Sequence, residues 1–94
     1  LVRRSTSLLL CAEAKYVTAF VVHERAERIQ AQFGHTPTNN ALRSEAARAW
    51  ENAEDNWKIF LNNYPELANY YKDRFNHARQ LHRRCLQCLD NSKK

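Results

Sequence analysis

The stretch "HARQLHRRCLQC" holds His77, His82, Cys85 and Cys88, four side chains of the kinds that bind metals, carry thiolate chemistry or attach haem. Zinc would need four ligands arranged tetrahedrally. Residues 82, 85 and 88 fall on one side of a single helix, which cannot wrap an ion by itself, and Cys11 alone does not complete the set. A c-type haem site needs His directly after the second cysteine, where Leu89 stands. A redox Cys-x-x-Cys belongs at a helix N-terminus, where the thiolate is stabilised, and this pair lies deep inside a helical stretch. Cys85 and Cys88 are therefore expected to be small apolar packing residues. His23, beside Glu24 and Arg25, stands in no predictable relation to a nucleophile or a second carboxylate, and no glycine-rich loop offers a phosphate cradle. The sequence predicts no enzyme: no catalytic residue, metal ligand or cofactor site.

What positions these residues is helix. One Gly and two Pro in 94 residues leave little with which to turn a sheet, and 44% hydrophobic residues exclude a chain disordered by composition. The strong breaks are "GHTPT" (34–38) and "NNYPE" (62–66). The first stretch runs from about Ser7, a candidate cap, to Phe33 before Gly34. Its stripe is Leu9, Ala12, Tyr16, Ala19, Val22, Ala26, Ile29 and Phe33. The second starts near Thr36 or Thr38, with Pro37 at a first helical position. Its stripe is Leu42, Ala46, Ala49, Ala53, Trp57, Phe60 and Tyr64. The third begins at Pro65, with Asn63 and Glu66 at capping-box spacing, and carries Leu67, Tyr71, Phe75, Ala78, Leu81, Cys85 and Cys88.

The fold class is thus all-α: three amphipathic helices forming a small bundle or an open L-shaped trio. Residues 1–94 read as a single helical domain, with 1–6 a transit-peptide remnant or flexible start and 90–94 a frayed tail. Trp50, Trp57, Phe60, Tyr64, Tyr70 and Tyr71 are expected to be core or partner-interface anchors. No segment spans a membrane: the most apolar run, Leu8–Val22, holds Glu13 and Lys15 and is shorter than the ~18 residues required.

The net charge of +5 is unevenly placed. Residues 1–66 carry eight Lys/Arg against eight Asp/Glu, whereas residues 67–94 carry seven against two. That asymmetry predicts an anionic neighbour (acidic protein, duplex DNA or lipid headgroups) for Lys72, Arg74, Arg79, Arg83 and Arg84. Three cysteines, an odd count, do not suit a secreted disulfide scaffold and fit a reducing or mitochondrial compartment. Arg3, Arg4 and three Ser/Thr with no acid before Glu13 resemble the end of a mitochondrial transit peptide.

Between Thr18 and Phe60 the chain resembles an HMG box. Ala19-Phe20, with Glu24 and Ile29 further on, looks like that family's start of helix one. Asn39-Asn40-x-Leu42, Ala46-Ala47 and Trp50 look like its helix two, and Lys58 and Phe60 like the opening of helix three. The resemblance implies an elbow just after Trp50. It also implies a base-step wedge at Phe20 and Val21, minor-groove contacts near Asn39 and Asn40, DNA binding and a nuclear location. The same middle stretch carries Glu45, Glu51, Glu54 and Asp55, which repel a polyanion. The function expected first is therefore a non-catalytic accessory subunit that binds other protein subunits of a larger mitochondrial assembly, respiratory-chain or similar. HMG-like DNA binding is the alternative.

Overall fold

The computed structural model describes the backbone of residues 2–92 and the side chains of residues 6–91. Helix α1 spans Val2–Phe33, α2 spans Pro37–Asn63, and a 3-10 turn, Pro65–Leu67, leads into α3, Ala68–Ser92. They run up, down and up as a slender three-helix bundle measuring 48 × 19 × 16 Å. Its long dimension is the length of α1, since 32 residues at about 1.5 Å each give that span. The centre is α2, which packs along both neighbours.

The turns follow from their residues. Gly34 has φ +74°, and its N–H reaches back 2.7 Å to the Gln30 carbonyl, the left-handed stop that glycine takes at least cost. Thr36 caps α2, its hydroxyl accepting from Asn39 N–H at 3.0 Å, and Pro37 fills the first turn as expected. Two expected caps are absent. Helix α1 already runs from Val2, so Ser7 lies inside it. Asn63 does not form a capping box: its amide donates to the Ile59 carbonyl at 2.8 Å, and the turn at Tyr64 has no side-chain cap. Part of the expected frayed tail, Asp90, Asn91 and Ser92, is helical, whereas Leu1, Lys93 and Lys94 lie outside the described residues.

An L-shaped arrangement needs a break after Trp50, and α2 runs through Glu51–Asp55 without one. Asn56, a residue that competes with helix, turns its amide back to the Asn52 carbonyl at 2.7 Å and so stays within the helix. The phase holds because Trp50, Ala53, Trp57 and Phe60 must share one face, and all four are fully buried.

The core has two parts. Along the upper bundle, Ala19, Ala46, Ala47, Ala53 and Ala78 surround Trp50, with Leu81 and Cys85. Small residues let the helices approach closely, and one indole fills the remaining space. At the other end Ala12, Trp57 and Phe60 are buried beneath Tyr64, Tyr71 and Phe75. Trp57 lies 5.8 Å from Tyr71 and 5.7 Å from Phe60, centroid to centroid. Truncating a buried indole removes its transfer energy and leaves a cavity. Trp57→Ala is expected to cost about 3–5 kcal/mol in urea unfolding, whereas Val17→Ala, on an exposed side of α1, stays within about 0.5 kcal/mol.

Candidate functional site

A set of polar side chains converges inside the upper bundle. His23 is buried, the residue being 9% exposed. The Trp50 indole N–H donates to His23 Nδ1 at 3.2 Å, and Cys85 Sγ lies 3.4 Å from the same nitrogen. With Nδ1 accepting, the proton of the neutral ring sits on Nε2, which faces Glu27 Oε1 at 3.3 Å. Arg43, 3% exposed, clamps the far side: Nη1 donates to Glu27 Oε1 at 2.9 Å and Nη2 to Gln30 Oε1 at 2.7 Å. Cys88 Sγ donates to Gln30 Oε1 at 3.7 Å, and Asn39 Nδ2 to the Ala26 carbonyl at 2.7 Å. All three helices thus contribute to one cluster.

Electrostatics keep this cluster in a fixed protonation state. Burial holds His23 below the ordinary histidine range, aided by Arg43 and Arg84 and opposed by Glu27. The Arg43 hydrogen bond holds Glu27 below the usual carboxylate range. Burial pushes the Cys85 thiol up, although Arg43 pulls the other way. In order Cys85, His23 and Glu27 have the outline of an activated-thiol triad: nucleophile, base and orienting carboxylate. The chemistry runs the other way. Trp50 occupies the lone pair that would accept the thiol proton, the thiol is stabilised as S–H, and Cys85 is fully buried. The surface grooves are lined by other residues, and His23, Trp50 and Cys85 open onto none of these. Among the described residues no three His, Cys, Asp or Glu side chains are grouped to hold a metal ion. The cluster is a clasp.

A second junction lies about two turns along. The Tyr16 hydroxyl and His77 Nδ1 share a short hydrogen bond, and both rings stack edge-on against Trp50. Burial raises the Tyr16 pKa above its ordinary value. Arg74 lies 5.3 Å over the Tyr16 ring and bonds Glu13 at 3.0 Å, while His82 faces Glu54 at 3.2 Å.

Of the expected anchors, Trp50, Trp57 and Phe60 are core, Tyr64 and Tyr71 are half-buried against it, and Tyr70 stands 77% exposed. The basic side chains Lys72, Arg74, Arg79, Arg83 and Arg84 are all exposed. Arg74 is engaged by Glu13, and Arg79, Arg83 and Arg84 share the outer face of α3 with Asn76, Gln80 and Gln87. The residues assigned to DNA do not form one surface. Phe20 and Val21 are exposed on α1, Asn39 is fully buried with its amide spent on Ala26, and Asn40 is half-buried. Reasoning from sequence missed Glu27, Gln30 and Arg43. The available signal was spacing, since Asn39, Arg43, Ala46 and Trp50 recur at four, three and four. It also missed an outward apolar row on α1: Leu10, Ala14, Val17 and Val21, each exposed. No family model, curated protein or solved structure matches the chain.

The depressed His23 pKa fixes the sign of the acid response. Below its ordinary value of 6.5 the unfolded chain takes up a proton that the folded chain resists, so stability is complete above that pH and falls as pH drops beneath it. Glu27 adds a second loss below its ordinary 4.5. The urea midpoint should fall between about pH 7.5 and 5.5, and less steeply in His23→Gln; equal slopes would remove His23 as the cause. Thiol accessibility gives an independent check. Under native conditions a maleimide should modify exposed Cys11 first and buried Cys85 only at the rate of unfolding.

Proposed function

We propose that this chain is a non-catalytic helical interaction subunit of a larger mitochondrial assembly, of the respiratory-chain kind or similar. The observation that carries this reading is the apolar row on the outer side of α1. Leu10 is 63% exposed, Val17 54% and Val21 57%, with Phe20 beside them at 40%. The opposite side of the same helix already supplies Ala12, Ala19 and Ala26 to the core, each fully buried. The outer row therefore contributes nothing to the chain's own fold, and contiguous exposed apolar surface is the mark of a face made for a partner. The outer face of α3, with Arg79, Arg83 and Arg84 outside the described ion pairs, suits an acidic neighbour such as an acidic protein or anionic lipid headgroups.

A DNA-binding, nuclear reading draws on the same exposed Phe20 and Val21 as a wedge. Its minor-groove partner Asn39 is buried, and Glu51, Glu54 and Asp55 stand beside the arginines of α3 across a shallow groove. We therefore place it second.

The test is isolation of the tagged protein from its own cells under native conditions. Co-migration with other subunits in a mitochondrial membrane or matrix fraction, lost on Val17→Glu with the thermal midpoint unchanged, is the expected result. Nuclear recovery with DNA that persists at physiological salt would overturn it in favour of the alternative.

A further inference from the structure

Resting on that reading, we infer that the outer face of α3 is the docking site for one acidic peptide segment of a partner subunit, whose carboxylates meet the α3 arginines. Asn76, Arg79, Gln80, Arg83, Arg84 and Gln87 line a shallow depression there, and all six are exposed. Three are guanidinium groups and three are amides, with no acid and no apolar side chain among them. The helical period puts the amides and Arg83 along the crest, with Arg79 on one flank and Arg84 on the other. Asp73 and Asp90 lie beyond the two ends of the patch. The nearby acids do not consume its arginines. Glu13 holds Arg74, Glu54 faces His82, and Glu27, which feels the charge of Arg84, is bonded to Arg43 instead. Arg79, Arg83 and Arg84 stand in none of the described ion pairs.

Polarity and width select the occupant. A helix that lies on an anionic lipid surface buries an apolar face among the headgroups, and this face has none. Leu86, 46% exposed, lines the neighbouring groove instead. A nucleic-acid duplex is broad and charged all round. Laid on the crest, it would also cover that groove, where Glu51, Glu54 and Asp55 of α2 stand beside Arg79 and Arg83. One peptide segment is narrow enough to follow the crest and stay clear of the α2 acids. Its carboxylates suit the two-pronged geometry of guanidinium groups. The three amides, which both give and accept hydrogen bonds, suit the peptide groups between those carboxylates.

Fluorescence anisotropy with the full chain and a labelled polyglutamate peptide tests this. The peptide should bind at about 20 mM salt and weaken about tenfold or more by about 150 mM, as exposed charge pairs do. Arg83→Glu with Arg84→Glu should weaken binding about tenfold or more at an unchanged thermal midpoint, because attraction is replaced by repulsion. The same charge change at exposed Arg25 and Arg28 of α1 should do far less. Neutralising the flank with Glu51→Gln and Asp55→Asn should improve binding of a short duplex DNA more than binding of the peptide. Absence of peptide binding at low salt would overturn the inference. So would equal loss from the α1 and α3 charge reversals, or an equal gain for DNA and peptide from the flank variant. Tighter binding of the DNA, or of vesicles mixing phosphatidylcholine and phosphatidylglycerol, would overturn it in favour of that ligand. Peptide binding by a chain that co-migrates with no other subunit would leave this docking face standing and remove the assembly. Co-migration lost on Val17→Glu, with no peptide binding, would do the reverse.

Discussion

The Trp50 indole is the piece on which the three-helix arrangement depends. Helices α1 and α3 meet chiefly through side chains, and α2 lies along both. Trp50 stands edge-on to Tyr16 and His23 of α1 and to His77 of α3, with centroids 5.5–6.0 Å away. Its one polar atom is spent on His23 Nδ1. That bond settles which nitrogen of His23 carries its proton, hence which side faces Glu27, hence where Arg43 is clamped. A polar group buried at the centre of a small bundle costs least when its partners are satisfied in turn. Here the chain of bonds runs from indole to imidazole to carboxylate to guanidinium to amide. It leaves Asn39 Oδ1 and Arg43 Nε buried without a partner at its far end.

The two ends of the bundle are held by different physics. The end near Gly34 is polar and directional, joined by Asn39, Arg43, Gln30 and Cys88. The end near Pro65 is aromatic: Trp57, Phe60, Tyr64 and Tyr71 tile one another at 5.5–5.8 Å. Aromatic tiling supplies buried area but tolerates sliding. Hydrogen bonds of fixed geometry do not, and a shift of α3 by one residue would carry Cys85 away from His23 and Cys88 from Gln30. Register is set at one end, and aromatic packing closes the other.

The helices, their breaks and the aromatic core were legible because they rest on local rules. Gly34, Thr36-Pro37 and Pro65 act through their own backbone chemistry, and Trp57 and Phe60 sit on a stripe that any helical period reveals. The upper stripe of α2 was not legible in the same way. Read by apolarity it passes through Leu42 and Ala49. The buried line passes through Asn39, Arg43, Ala46 and Trp50, and the polarity of its first two members hides it. Their burial depends on Ala26, Glu27 and Gln30 thirteen to sixteen residues away, information that no local pattern contains. His23 was misplaced for the same reason, since its partners Trp50 and Cys85 are distant in sequence. Asn63 had the spacing of a cap, but its amide found the Ile59 carbonyl first.

The sealed clasp and the exposed row bear on each other. An interior that orients Cys85, His23 and Glu27 and then closes over them gives up reactivity in exchange for a rigid register. Rigidity of that kind is of use to a surface that must stay straight. With α1 held against α2 by Asn39 and Arg43 at one end and by the Ala12 contact at the other, its outer side is a row about three turns long, set by the helix period and independent of solvent. On the proposed reading, a face held in shape before it meets a partner would lose little entropy on docking. Alanines bring α1 close to the core, while Leu10, Val17 and Val21 stay outside it. In this chain one helix thus supplies the core from one side and carries an exposed aliphatic row on the other.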